Sequence, residues 1–231
     1  MTSLNILSGG AAQGLVSELD SQFFAEAGRA IHGTYGAVGM MRDKLLAGEP
    51  CDVVILTQAL IDQLTASGHV VAGSARALGL VKTGVAVKTG ETSRKVDTPE
   101  NLKAALLAAK GIYFPDPIKA TAGIHVMNVL KKLGIDEAVA ERLRPYPNGA
   151  AAMREMAAST ESGLIGCTQV TEILFAPGVE LVARLPHEFE LVTVYTAAVC
   201  TQSDQPQAAR ILIDLLAGPK AAEKRLAGGF E

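Results

Sequence analysis

The amino-acid sequence predicts an α/β protein whose sheets are mostly parallel and carry helices on both faces. Short apolar runs alternate with helical patterns along all 231 residues. Alternation of this kind is typical of parallel sheets, because each helix connects two strands that run in the same direction. No internal repeat and no linker-like segment interrupts the pattern. At roughly 100–200 residues per domain, the length fits one large or two small domains.

Seven apolar runs are typical of buried strands because they are short, bounded by turn residues and rich in Val, Ile and Leu. They are residues 4–7, 52–56, 80–88, 112–114, 164–167, 179–185 and 191–200.

The helices are predicted from apolar residues three or four positions apart and from their start and stop signals. Thr98 followed by Pro99 is a strong start, with a capping residue before proline at the first helical position. Gly28, Gly68 and Gly134 are typical stops. Apolar residues mark four of the predicted helices: Leu15, Leu19 and Phe23; Leu60, Ile61 and Leu64; Leu102 and Leu106; and Val126, Leu130 and Leu133. The other five are predicted at residues 38–47, 136–143, 150–158, 207–217 and 219–226.

Four segments of small residues precede predicted helices and are the candidate ligand-binding loops. They are residues 8–13, 35–39, 119–123 and 147–149. Free amides at a helix N-terminus favour an anion, and glycine lets the backbone approach a ligand closely. Each segment by itself could equally be a plain tight turn. Four of them in one chain would converge on a single anion if two lobes bring them together.

Composition and charge exclude several other classes of function. The net charge is −3 with no basic stripe, so nucleic acid is not an expected partner. No apolar run reaches the roughly 18–20 residues of a membrane span, so the protein is not expected to be embedded in a membrane. The three cysteines are far apart, which argues against a disulfide framework, and the four histidines lack metal-ligand spacing. We expect no metal and no cofactor.

Four short motifs resemble the molybdate-binding proteins, a type II periplasmic-binding-protein family of bacterial ABC importers. The motifs, in the same order and at the same spacing as in that family, are Asn-Ile-Leu-Ser-Gly-Gly-Ala-Ala at 5–12, Ala-Gly-Glu-Pro-Cys-Asp at 47–52, Asp-Pro at 116–117 followed by Ala-Gly-Ile at 122–124, and Gly-Pro at 218–219 before Gly-Gly-Phe at 228–230. The loops at 8–12 and 35–39 are more similar to a divergent branch of this family that includes an aconitate isomerase.

The resemblance implies two Rossmann-like lobes with mostly parallel sheets, joined by two crossing strands. Lobe one would be residues 1–83 plus 198–231, and lobe two residues 84–197. It implies binding of a small anion, either an oxyanion or a small di- or tricarboxylate, in the cleft between the lobes. The partners would be that ligand and the membrane component of an ABC transporter. The protein would be periplasmic if a leader was removed, or cytoplasmic if the chain is complete as written.

The family's ligand contacts transfer to this sequence unevenly. Ala122 matches an amide donor of the family, whereas Ala11, Val38 or Gly39, and Gly166 stand where molybdate binders have hydroxyl-bearing side chains. The smaller side chains leave room for a larger carboxylate ligand. The expected ligand-binding residues are Ser8, Gly9, Gly10, Ala11, Ala12, Tyr35, Gly36, Val38, Gly39, Lys119, Thr121, Ala122, Gly123 and Asn148.

The alternative to a binding protein is an isomerase of an unsaturated tricarboxylate such as cis- or trans-aconitate. Such an enzyme needs a group that removes a proton from carbon and one that returns it. Lys119, His125 and Tyr35 are the candidates on the predicted loops, and Asp116 is next. No two of these residues form a recognisable catalytic pair, so binding is favoured over catalysis.

Overall fold

The structure, a computed structural model, describes residues 3–92 and 94–231. The strands are β1 (Leu4–Gly9), β2 (Ile31–Gly36), β3 (Val53–Thr57), β4 (Arg76–Lys88), β5 (Gly111–Pro115), β6 (Leu143–Tyr146), β7 (Leu164–Gln169), β8 (Val179–Arg184) and β9 (Val192–Val199). The α-helices are α1 (Gln13–Ala27), α2 (Val38–Leu46), α3 (Gln58–Ala66), α4 (Pro99–Ala108), α5 (Thr121–Lys132), α6 (Asp136–Val139), α7 (Gly149–Ala158), α8 (Val170–Phe175), α9 (Pro206–Ala217) and α10 (Ala222–Ala227).

The chain divides into two compact units. Unit 1 comprises Met1–Val81 and Thr193–Glu231, and unit 2 comprises Lys82–Val192. The chain passes from one unit to the other within β4 and at the start of β9. The α/β class and the mostly parallel sheets expected from the sequence are confirmed. The domain boundaries expected from the sequence stay a prediction.

Unit 1 contains a sheet with the strand order β2-β1-β3-β9. β1 pairs in parallel with both β2 and β3, whereas β9 pairs antiparallel with β3. The apolar strand residues pack against one stripe of each covering helix, including Leu15, Leu19 and Phe23 of α1 and Leu212 and Leu216 of α9. These apolar residues are four positions apart in the sequence and therefore lie on one side of the helix, which is why each helix buries only one face.

Unit 2 repeats this arrangement with the strand order β6-β5-β7-β4. β5 pairs in parallel with β6 and β7, and β4 pairs antiparallel with β7 and, along its other edge, with β8. Alternate strand residues face two separate cores. Val85, Ile112 and Cys167 pack with helices α4 and α5 on one face, whereas Ala86 and Tyr113 pack with α7 on the other.

Local signals fix several helix ends as the sequence predicted. The Thr98 side chain accepts a hydrogen bond from the Asn101 amide at the start of α4, with Pro99 at the first helical position. Gly28 ends α1 in the left-handed region at φ 64°, and Gly134, at the same φ, follows α5. Glycine occupies these positions because a Cβ atom would be strained there.

Three elements were not predicted. β2 has a glycine and a histidine in place of an apolar run, and β6 contains Pro145, so neither has the composition of a buried strand. Residues 136–143, predicted as one short helix, form α6, a single 3-10 turn and the first residue of β6. α8 has only six residues, too few for a helical period to stand out.

Cys51 and Cys200 lie in contact although 149 positions separate them in the chain. The Cys200 thiol donates to the Cys51 sulfur at 3.4 Å, and the Cys51 thiol donates to the Val53 carbonyl at 3.2 Å. Both residues are buried beside the ends of β3 and β9. Burial raises the pKa of the third thiol, Cys167 in β7, to about 12.

Within residues 3–92 and 94–231, no helix has the length and apolarity needed to cross a membrane. The same residues contain no group of three or more His, Cys, Asp or Glu side chains placed to hold a metal ion.

Candidate functional site

The first two candidate loops are neighbours in unit 1 because they follow adjacent parallel strands. In the register of β1 and β2, Ser8 pairs with Tyr35 and Gly9 with Gly36. Both strands therefore end at the same edge of the sheet, where helices α1 and α2 begin. The carboxyl edge of a parallel sheet is the usual place for a ligand in this type of fold.

The first loop is a tight turn of small buried residues. After Ser8 and Gly9, residues Gly10–Ala12 form a single 3-10 turn that leads directly into α1. A Cβ atom on Gly9 would lie 2.8 Å from Cε1 of Tyr195 and 2.8 Å from Cγ1 of Val38, so only glycine fits without displacement. The Ser8 hydroxyl is buried and donates to the Gly9 carbonyl at 2.9 Å. Sequence reasoning did not single out Tyr195, although its ring forms one wall of this loop.

The second loop begins α2 without a capping side chain. Ala37 precedes the helix in an extended conformation, and Val38 and Gly39 are its first two residues. Tyr35 does not extend toward the helix start, since its ring lies where a side chain on Gly33 would be. Burial, with a smaller contribution from Asp20, raises the pKa of Tyr35 to about 12. The phenol is therefore a hydrogen-bond donor at neutral pH and a poor candidate for a base.

The third and fourth candidate loops are likewise neighbours, in unit 2. They follow β5 and β6, whose last residues Pro115 and Tyr146 are register partners. α5 begins at Thr121 without a side-chain cap, and Ala122 and Gly123 complete its first turn. A Cβ atom on Gly123 would overlap the carbonyl oxygens of Pro115 and Asp116. Glycine therefore allows the first turn of α5 to lie directly against the end of β5.

Asp116 holds the shape of the turn that leads into the third loop. The Asp116 carboxylate accepts hydrogen bonds from the amides of Ile118 and Lys119, each at 2.7 Å. Lys119 lies in the turn before α5 and has an interaction of its own. The carboxylate therefore orients the turn, and this use competes with a role as a base.

His125 links α5 to the segment that precedes β9. Its Nε2 lies 2.7 Å from the carbonyl oxygen of Phe189. A carbonyl only accepts, so Nε2 carries the proton and donates, and Nδ1 is the remaining basic nitrogen. This contact explains His125 as a residue that fixes the position of α5.

The fourth helix start is already occupied by an internal carboxylate. Asn148 caps α7, because its Oδ1 accepts from the Ala151 amide at 2.8 Å. The buried Glu172 side chain accepts from the Gly149 amide at 3.1 Å and from the Thr168 hydroxyl at 2.5 Å. Burial raises the pKa of Glu172, and hydrogen bonds from Thr168 and from the amides of Ala150, Gly149 and Gln169 oppose that rise.

Sequence reasoning missed Glu172. It lies 24 positions after Asn148, inside a short helix that was not predicted, and nothing nearby in the sequence marks it. The amide of Gly149, which the sequence offered as a donor for a ligand, donates to this carboxyl group instead, and so does the amide of Ala150. Of the four helix starts, those of α1, α2 and α5 lack a side-chain cap on the N-cap residue, and α7 has one.

Apart from Lys119, the donors that these loops offer are neutral. Backbone amides at uncapped helix starts carry partial positive charge and can bind an anion without a lysine or arginine in contact. The grouping of residues 8–12 with 35–39, and of residues 119–123 with 147–149, follows from the order of parallel strands in each unit. The assignment of individual ligand contacts stays a prediction.

Three comparisons place the chain among known proteins. A family described as bacterial extracellular solute-binding protein matches residues 4–231. An aconitate isomerase from Pseudomonas sp is 27% identical over 231 residues, covering 96% of this chain and 85% of that protein.

Two solved structures share the fold. The periplasmic molybdate-binding protein of Azotobacter vinelandii superposes with a TM-score of 0.81 at 19% identity, covering 99% of each chain. The sulfate-binding protein SubI from Mycobacterium tuberculosis superposes with a TM-score of 0.74 at 17% identity, covering 100% of this chain and 86% of that one. The resemblance to a solute-binding family stated from the sequence motifs is confirmed. The match over residues 4–231 shows that this chain belongs to the bacterial extracellular solute-binding protein family.

Proposed function

We propose that the protein binds a small anion, an oxyanion or a small di- or tricarboxylate, as the solute-binding component of a molybdate-type ABC importer or a divergent relative. The observation that carries this proposal is the set of uncapped helix starts at the carboxyl edges of the two parallel sheets. The proposal places the protein outside the cytoplasm, as the family description indicates.

The ligand would be held mainly by backbone amides. In unit 1 the donors are the amides of the turn at residues 10–12 and of the first residues of α2, with Ser8 beneath them. In unit 2 the donors are the amides of Thr121, Ala122 and Gly123, which helical geometry leaves without an acceptor inside the helix. Asn148 is the weakest member of the proposed set, because its side-chain oxygen already caps α7.

The ligand's size follows from the side chains at these positions. Ala11 and Ala12 bring no hydroxyl into the first loop, and Val38 and Gly39 bring none into the second. A compact oxyanion depends on such short-range donors, because a buried charge without hydrogen bonds is unfavourable. A di- or tricarboxylate can instead divide its charge between separate pairs of amides, so we favour this class over molybdate.

An aconitate isomerase is the second candidate, favoured by the 27% identity to such an enzyme across nearly the whole chain. The enzyme would need one group that removes a proton from carbon and a group that returns it. The high pKa of Tyr35 and the two amides bound to Asp116 weaken the case for these two residues. Lys119 and the Nδ1 atom of His125 remain the candidates.

Binding can be tested by thermal unfolding in the presence of molybdate, tungstate, sulfate, citrate, cis-aconitate and trans-aconitate. A ligand at 100 times its dissociation constant should stabilise the fold by about 2.7 kcal/mol. We expect the largest shift from a carboxylate. A Gly10→Leu/Gly39→Leu variant places bulk in both unit 1 loops and should lose the shift. If none of the six anions raises the unfolding temperature, the proposed class of ligand is wrong.

Catalysis can be tested separately by proton NMR in heavy water. The protein is incubated with cis- or trans-aconitate, and interconversion and deuterium uptake at carbon are followed. Tight binding without exchange supports a binding protein. Exchange that disappears in Lys119→Met or His125→Gln, with binding retained, would establish the isomerase.

A further inference from the structure

Unit 2 contains a buried hydroxyl group without a hydrogen-bond partner. Thr83 in β4 is 2% exposed, and its Oγ1 has no partner among the described residues. Its backbone is satisfied separately, since the Thr83 carbonyl accepts from the Leu185 amide at 3.1 Å. Native proteins rarely leave a buried hydroxyl unpaired, so such an atom needs an explanation.

The Thr83 side chain lies on the same face of the sheet as α5. Side chains alternate between faces along a strand, so Thr83 and Val85 share one face. Val85 packs in the core that contains Val126 and Leu130 of α5. Gln169, the register partner of Thr83, is likewise on the face of Cys167, another member of that core. Thr168, which binds Glu172, points to the opposite face, toward α7.

Thr83 also lies at the level where α5 begins. Tyr113 pairs with Gly166 in the parallel register of β5 and β7. Gln169 is three residues beyond Gly166, and Asp116, the first residue after β5, is three residues beyond Tyr113. Thr83 pairs with Gln169. The orphan hydroxyl is therefore at the carboxyl edge of the sheet, on the face where the uncapped first turn of α5 lies.

We infer that Thr83 is a ligand-binding residue, whose hydroxyl donates to an oxygen of the anion held by the first turn of α5. This inference rests on the proposed function and adds a specific side-chain contact to it. It supplies, from a strand, a hydroxyl donor of the kind that Ala11, Val38 and Gly39 do not provide. An oxygen atom of the anion would give the Thr83 hydroxyl the partner that the described residues do not supply.

The inference also explains why the hydroxyl is retained on the α5 face of β4. A valine would have the same shape and would pack there without an unsatisfied polar atom. The net contribution of such a hydroxyl to folding is unfavourable unless a partner is present. A hydrogen bond to an oxygen atom of the ligand removes this unfavourable contribution. Hydrogen bonds to charged groups are also stronger than those between neutral groups.

The test compares Thr83→Val with Thr83→Ser and with Thr171→Val. Thr171 is the matched control, since it is also a buried threonine of unit 2 whose hydroxyl has no partner among the described residues, but it lies in α8. Isothermal titration with molybdate, sulfate and trans-aconitate gives the affinity of each variant, and urea unfolding without ligand gives its stability.

We expect Thr83→Val to weaken binding of whichever anion the wild type binds by about 10- to 100-fold, the loss of one hydrogen bond to a charged ligand. Thr83→Ser should retain most of the affinity, and Thr171→Val should match the wild type. Ligand-free Thr83→Val should be as stable as the wild type or more stable.

Three results would overturn the inference. Thr83→Val could bind as tightly as the wild type, or Thr83→Val and Thr171→Val could lose affinity equally, which would indicate a packing effect. Ligand-free Thr83→Val could instead be clearly less stable, which would assign the hydroxyl to an internal water. A wild type that binds none of these three anions and none of the other three in the thermal unfolding test would show a different failure, that of the proposed function, and the inference would fall with it.

Discussion

The two units have the same strand order and different chemistry at the same edge. β2-β1-β3-β9 in unit 1 corresponds to β6-β5-β7-β4 in unit 2, each with three parallel strands and one antiparallel strand. In unit 1 both candidate helix starts, those of α1 and α2, lack a capping side chain. Of the two candidate helix starts in unit 2, only that of α5 does, because Asn148 and Glu172 occupy the start of α7. Topology therefore supplies the amides, and side chains decide which of them a ligand can use.

The units also differ in how tightly a loop glycine is held. Gly9 in unit 1 is enclosed by side chains of Tyr195 and Val38, whereas Gly123 in unit 2 lies against backbone carbonyls. Side chains can rotate away from an added methyl group, whereas the carbonyls of Pro115, at the end of β5, and of Asp116, in the turn that follows, can move only if the backbone moves. The same substitution should therefore have different consequences in the two units.

The largest expected effect is that of Gly123→Ala. The new Cβ atom would overlap the carbonyl oxygens of Pro115 and Asp116, so α5 must move away from β5. Displacement of this kind should lower the free energy of unfolding by about 3 kcal/mol. Urea unfolding followed by circular dichroism measures it. Wild-type stability in this variant would contradict the close approach of α5 to the strand.

The second effect is that of Glu172→Gln. The amide group replaces one of two acceptor oxygens with a donor, which must then face the Gly149 amide or the Thr168 hydroxyl. We expect a loss of about 2 kcal/mol, because a buried donor is left without an acceptor. Glu155→Gln, on the exposed side of α7, is the control and should be neutral. Equal stability of the two variants would show that Glu172 is not needed at the start of α7.

Gly9→Ala should have a smaller effect of about 1 kcal/mol, because the atoms it meets, Cε1 of Tyr195 and Cγ1 of Val38, belong to side chains. Val38→Ala removes one of these obstacles. The double variant should therefore be more stable than the sum of the two single changes indicates, which a double-mutant cycle measures. The distinction between Gly9 and Gly123 would be wrong if the two changes in stability were strictly additive. It would also be wrong if Gly9→Ala lowered the free energy of unfolding as much as Gly123→Ala.

The smallest expected effect is a pH dependence that unit 2 owes to Glu172. Burial raises the pKa of this carboxyl in the folded protein above its unfolded value. Its contribution to stability is therefore fully present below the unfolded pKa and is lost as the pH rises through the raised folded pKa. The stability of the wild type relative to Glu172→Gln should fall over that interval. A constant difference from about pH 4 to pH 9 would show that the carboxyl does not titrate abnormally.

Much of the fold was predictable because its signals are local. The apolar runs at residues 4–7 and 112–114 became β1 and β5, and Thr98-Pro99 began α4 as predicted. The loops at residues 8–12, 35–39 and 119–123 could be recognised as helix starts because small residues between a strand and a helix leave amides exposed. β2 and β6 were missed because a strand at the edge of a sheet needs no continuous apolar run.

The sequence by itself determined the class of fold, the family and the position of four helix starts, since each depends on residues close together in the chain. Only the tertiary structure decided which of those starts remain open to a ligand. The carboxyl group of Glu172 reaches Gly149 at the start of α7 from 23 positions away, and Cys51 meets Cys200 across 149 positions. In the sequence, nothing marks Thr83 as a site residue within the largely apolar segment of β4. Its position beside the ligand follows only from the pairing of β4 with β7 and from the face of the sheet that α5 covers. Contacts between distant residues arise from the pairing of strands, and strand pairing leaves no local pattern in the sequence.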